Sequence, residues 1–156
     1  LVEGPTEEML INTLLDKEVG ILNEIEVIAI GQKGYKTFLD IWLQIHKDDS
    51  TSCIGVVRDF DDQPKAKKEH QAYDEQYENI FVRTTEKYTL EDDLVATGKN
   101  AKIIKDYFKI EGDVAKFLKD SKADNMRCLC EAISEDEITI ELPNHIGEII
   151  ECVKSY

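Results

Sequence analysis

The sequence predicts an α/β fold: a four-stranded, mainly parallel, Rossmann-like sheet flanked by helices, with a helical extension over residues 99–156. Three observations lead there. Short apolar runs rich in β-branched residues alternate with segments of helical period through the first 98 residues, the pattern of βαβ units. Two of those runs, Leu1-Val2 and Ile54-Gly55-Val56-Val57, are closed by carboxylates at Glu3 and at Asp59 and Asp61. From Tyr88 onward the sequence is more polar and its apolar spacing is helical.

The elements follow in order. Leu1-Val2 is too short for a strand by itself, so its first residues, and a further domain, are expected upstream. Residues 6–22 place Met9, Leu10, Leu14, Leu15 and Leu22 at helical spacing, with Thr6 as N-cap. Residues 26–30 form a short apolar strand, and Gly31 and Gly34 mark a turn. Residues 35–45 are helical, with Phe38, Leu39, Trp42 and Ile45 on one side. Residues 53–57 are apolar throughout, as suits a strand covered on both faces. A polar helix over 64–77 carries Lys65, Lys67 and Lys68, and 79–83 is the fourth strand. Helices are expected over 90–95, 101–108, 114–118 and 126–133. Residues 137–142 alternate, as a short strand or an extended arm, and Pro143 precedes a helix carrying Ile146, Ile149, Ile150 and Val153. Residues 1–98 are thus read as a catalytic core and 99–156 as its helical extension.

With 33 acidic and 19 basic residues the net charge is −14, which argues against simple electrostatic binding of nucleic acid by this chain alone. A metal-dependent nuclease partly escapes the objection, because divalent ions reverse the local charge. No apolar run approaches a membrane span and no signal peptide is evident, so a soluble, cytoplasmic protein is expected. Cys53, Cys128, Cys130 and Cys152 lack zinc-site spacing and read as buried thiols. His46, His70 and His145 are scattered and are assigned no chemistry. Gly31-Gln32-Lys33-Gly34 lacks the spacing and ending of a phosphate loop.

In an open α/β sheet, ligands bind just past the carboxyl ends of the strands. Two strand ends side by side would gather Glu3, Glu7, Asp59 and Asp61 in one volume, where like charges call for a cation. An all-oxygen donor set favours Mg²⁺ or Mn²⁺ over Zn²⁺. Asp59 and Asp61, two apart in extended chain, would face the same way. Asp62 faces away and caps the next helix. The ordinary alternative for Glu7 is an acid favoured at a helix N-terminus. For Lys65, Lys67 and Lys68 a solvated polar face competes with contact to a phosphate backbone.

Glu3-Gly4 ending one strand and Asp59-Phe60-Asp61 ending a later one resemble the Toprim domain shared by topoisomerases, primases and several nucleases. Glu7, four residues after Glu3, makes the pattern most similar to the OLD (overcoming lysogenisation defect) nucleases, relatives of the Gabija antiphage nuclease. Thr89-Leu90-Glu91, Ser121-Lys122-Ala123-Asp124-Asn125-Met126 and Leu142-Pro143-Asn144-His145-Ile146 extend the resemblance over nearly the whole chain. It implies two Mg²⁺ or Mn²⁺ ions held by Glu3, Glu7, Asp59, Asp61 and Glu91, with Asp93 as a weaker candidate ligand. How the ligands divide between the ions stays open. Glu3 doubles as general base, and Lys122, chosen over the nearby Lys116 and Lys119, would neutralise charge on the scissile phosphate. Asp62-Gln63-Pro64 departs from the Gly-bearing turn common in topoisomerase members.

The function so implied is two-metal endonucleolytic cleavage of DNA, in antiviral defence. The implied partners are DNA, an ATPase domain earlier in the same polypeptide that dimerises the chain, and a helicase-like defence partner. Two alternatives stand beside it: a topoisomerase- or primase-type Toprim, and a non-catalytic metal-binding interaction module.

Overall fold

A computed structural model of the chain describes residues 1–17, 25–31, 34–46, 48–49, 51–61 and 64–156. Among these the fold is α/β: eight helices and a two-stranded parallel sheet. The helices are α1 (Pro5–Lys17), α2 (Tyr35–His46), α3 (Pro64–Gln76), α4 (Leu90–Ala96), α5 (Asn100–Phe108), α6 (Val114–Lys119), α7 (Lys122–Ser134) and α8 (Asn144–Ser155). The strands are β1 (Ile54–Arg58) and β2 (Ile80–Thr84). They pair in register from Ile54 opposite Ile80 to Arg58 opposite Thr84.

The other two expected strands do not form ladders. Residues 26–30 and Leu1-Val2 meet in a single parallel bridge, Val2 opposite Ala29. Backbone hydrogen bonds nevertheless line these segments up beside the sheet. Val2 N–H donates to Ile28 O and Ile30 N–H to Val2 O, both at 3.0 Å, and Val57 N–H donates to Leu1 O at 2.9 Å. The Leu1 amino group also donates to Gly55 O.

β1 is covered on both faces, as its apolar sequence requires. Ile54 and Val56 pack with Tyr35, Leu39 and Leu43 of α2 and with Ile80 and Val82. Val57 belongs to the larger core, with Leu10 and Leu14 of α1, Leu94, Ile104, Leu118, Leu129 and the α8 residues Ile146, Ile149 and Ile150. That core draws on both sides of residue 98. Gly55 lets α8 come close: a Cβ there would stand 2.7 Å from Ile149 Cγ2.

Several local expectations are corrected. The first helix starts at Pro5, which suits the first helical position because no amide is needed there, so Thr6 lies inside the helix. Leu22, Gln32, Lys33, Asp62 and Gln63 lie outside the described residues. Ile45 is 70% exposed and the buried face of α2 is Tyr35, Leu39 and Leu43. The α7 helix begins at Lys122, four residues before the expected start at Met126. Residues 137–142 form no strand but a connecting arm, one of the two alternatives that their alternation left open. Asn100 pins it, donating from Nδ2 to Glu141 O at 2.8 Å and accepting Glu141 N–H at 2.8 Å. Cys130 is buried, whereas Cys53, Cys128 and Cys152 are only half-buried, and all four are free. No described helix is long and apolar enough to cross a membrane.

Candidate metal centre

The site begins where Leu1-Val2 and β1 end together. The Val2 bridge delivers Glu3, whose carbonyl accepts Gly31 N–H at 2.9 Å. One residue beyond β1 comes Asp59, and the chain then turns sharply, with Asp61 in the left-handed region at φ 43°. One carboxylate oxygen each of Glu3, Asp59 and Asp61 falls within 4.8 Å of the others, and all three residues are neither fully buried nor exposed. The expected meeting of Asp59 and Asp61 therefore occurs, but through a turn rather than through the alternation of extended chain.

The turn is held from the loop after β2. Phe60 N–H donates to Thr85 Oγ1 at 2.8 Å, Asp61 N–H to Tyr88 O at 3.0 Å, and Leu90 N–H to Asp59 Oδ1 at 2.9 Å. Burial pushes the Asp59 carboxyl up to about 7, and the charges of Glu3, Glu7 and Glu91 add to the shift. The second contribution marks a surplus of negative charge around Asp59.

Glu7 and Glu91, expected in the same volume, fall outside that group and meet instead around one cation. Lys122, at the start of α7, donates to Glu7 Oε1 at 2.8 Å and lies 2.9 Å from Glu91 Oε1, an ion pair without hydrogen-bond alignment. Glu7 is 5% exposed and Glu91 1%. Burial alone would raise the Glu7 carboxyl, but Lys122 and the Thr6 hydroxyl hold it below the usual carboxylate range. Burial likewise opposes the charge on Lys122, and the two carboxylates override it, raising its pKa. Lys122 is therefore a fixed cation and not a proton acceptor near neutral pH. Lys119, the neighbour weighed against it, pairs with Asp92 at 2.6 Å. Gly4 permits the close approach of Glu7, whose Oε2 would be 2.9 Å from a Cβ at that position.

Asp93 is placed differently. Its oxygens accept Glu86 N–H and Lys87 N–H, both at 2.7 Å, and Oδ2 lies 3.1 Å from His145 Nδ1. Burial opposes its charge, and His145 and the two amides outweigh that, holding its carboxyl below the ordinary range. Asp93 thus faces the loop and α8, outside the Glu3, Asp59 and Asp61 group.

No family model, curated protein or solved structure matches this chain. What the site can do rests on its own geometry.

Sequence reasoning passed over Arg58, Tyr35, His70 and Thr85. Arg58 Nε donates to Glu3 Oε1 at 2.9 Å, its guanidinium carbon lies 4.6 Å from the centre of the Tyr35 ring, and Nη1 lies 3.3 Å from His70 Nε2. Tyr35 in turn donates its hydroxyl to Val57 O at 2.8 Å. The available signal was an arginine ending an otherwise apolar strand, directly before the acid pair: a charge in that place needs a buried partner.

Proposed function

We propose that this chain is a Toprim-type nuclease domain of the OLD kind, cleaving DNA phosphodiester bonds with Mg²⁺ or Mn²⁺. The observation that carries the reading is the convergence of Glu3, Asp59 and Asp61 within 4.8 Å at the ends of neighbouring parallel segments. The donor set fits a hard divalent cation: all oxygens, three carboxylates, and an Asp59 carboxyl raised by burial and by its acidic surroundings. We take segments 28–30, 1–2, β1 and β2, in that spatial order, as the four strand positions of a Toprim sheet; the backbone bonds between them support this.

In a two-ion phosphoryl displacement, the bound ions lower the pKa of water and stabilise the entering and leaving oxygens. The chain's own residues prepare for that. Glu3, Asp59 and Asp61 would hold one ion, and Glu7 and Glu91 lie close enough to Asp59 to raise its pKa and would serve a second. Lys122 supplies permanent positive charge at the border of the site, against the charge that grows on a scissile phosphate. DNA, an ATPase domain of the same polypeptide, assembly through that domain, and a helicase-like partner complete the proposal.

The test is supercoiled-plasmid cleavage with Mg²⁺ and with Mn²⁺, comparing the wild type with Glu3→Ala and Asp59→Ala, each checked for folding. Loss of nicking in folded variants supports the reading. Wild-type nicking by either variant removes that residue from the mechanism.

One observation favours a second reading. Glu3 already has Arg58 as partner, and Glu7 and Glu91 share Lys122, so the acids are partly neutralised from within. A non-catalytic module would use this arrangement to hold a structural ion. Metal-dependent stabilisation with no cleavage of any DNA form would select it.

A further inference from the structure

We infer that Thr85 is a positioning residue for the metal centre, acting through the Asp59-Phe60-Asp61 turn; the inference rests on the metal-site reading above. Thr85 is 2% exposed, immediately after β2. It contacts both sides of the gap between the loop and the acid turn. Its own N–H donates to Arg58 O at 2.9 Å, continuing the strand pairing by one step. Its hydroxyl accepts Phe60 N–H at 2.8 Å and donates to Lys87 O at 3.0 Å. The single hydroxyl proton is thus committed to Lys87 O, which leaves the oxygen lone pairs for Phe60.

The geometry gives this hydroxyl leverage. Phe60 lies between the two aspartates, and Asp61 is held at positive φ, where a residue with a Cβ needs outside support. The loop that Thr85 ties down also supplies Tyr88 O to the Asp61 amide and Leu90 N–H to the Asp59 carboxylate. Asp93 fixes the same loop from behind through the amides of Glu86 and Lys87. Without the hydroxyl, Phe60 N–H loses its acceptor and the turn loses the central one of its three hydrogen-bonded holds. The Asp59 and Asp61 oxygens then no longer converge with Glu3.

The test measures Mn²⁺ binding to the full chain by calorimetry, with Mn²⁺ alone as probe and melts in chelator as the folding control. Thr85→Val keeps the shape and removes the hydroxyl; Thr85→Ser keeps the hydroxyl. The expected result is a loss of about tenfold or more in Mn²⁺ affinity for Thr85→Val, the scale of lost outer-shell support. Thr85→Ser should retain wild-type affinity. If Thr85→Val does not fold, Thr85→Ala, which adds no volume, carries the same expectation. Unchanged affinity in the hydroxyl-free variant, or equal loss in Thr85→Ser, overturns the positioning role while the metal site stands. Absence of Mn²⁺ binding in the wild type overturns the metal-site reading and this inference with it.

Discussion

Arg58 donates from Nε to Glu3 Oε1 across 2.9 Å, and both side chains are about nine-tenths buried, at 11% and 9% exposed. A buried cation thus stands against one of the three acids that converge past β1. The pair links the end of the sheet to the candidate metal centre, because Arg58 is also stacked against Tyr35 under α2. Removing one member of a buried pair leaves the other charge uncompensated.

Arg58→Met should therefore lower the melting temperature in chelator, by the equivalent of about 3–5 kcal/mol. A divalent cation then becomes the main neutraliser of Glu3. Added Mn²⁺ should raise the melting temperature of the variant by more than it raises that of the wild type. Equal shifts in the two proteins would show that Arg58 and the ion do not share Glu3.

Lys122→Met leaves Glu7 and Glu91 buried side by side without their cation. Glu7, whose carboxyl Lys122 holds low, should then take up a proton more readily. The stability deficit of the variant is expected to be larger near pH 8 than near pH 5, where protonation relieves the repulsion. Cleavage should fall by about a hundredfold or more, in line with loss of a preorganised charge stabiliser. Melts across pH and plasmid assays at fixed Mg²⁺ measure the two effects separately.

The Asp59 carboxyl sets a pH dependence of its own. Its pKa is pushed up to about 7 in the fold, against about 3.9 in an unfolded chain. Between these values the folded state holds a proton that the unfolded state lacks. The Asp59 contribution to metal-free stability is therefore full below the lower value and declines as pH rises through the window. A bound cation removes that penalty. The stabilisation by Mn²⁺ should be small near pH 5.5 and larger near pH 8, with the change lost in Asp59→Asn.

Gly55→Ala tests the packing behind the site. The new Cβ would stand 2.7 Å from Ile149 Cγ2 and 3.1 Å from Val153 Cγ2, so α8 must shift from β1. A loss of about 1–3 kcal/mol in denaturant unfolding is expected, as for other overpacked cores.

Local sequence was enough to place most elements. The apolar run 53–57, the polar helical stretch 64–77 and the run 79–83 located β1, α3 and β2 within a residue or so. Pattern and turn chemistry act over a few residues, and a few residues are what a period records. The acids at Glu3, Asp59 and Asp61 were legible for the same reason: a carboxylate at the end of an apolar run sits where that run leaves the core. Even so, alternation gave the wrong account of why Asp59 and Asp61 meet, since the chain turns at Asp61 instead of running on extended.

The partners of those acids were decided only by the tertiary structure. Arg58 and Glu3 are 55 residues apart in sequence, and Lys122 and Glu7 are 115 apart. Their contacts exist because β1 lies beside the opening segment and α7 packs across α1, and no local propensity encodes either contact. Asp93 shows the other side of this: its sequence neighbourhood resembles that of Glu91, yet two backbone amides and His145 hold it outside the Glu3, Asp59 and Asp61 group. A charge removed from water takes the partner that folding brings within reach, so the residue types set the possible chemistry and the packing of distant segments chose among the partners.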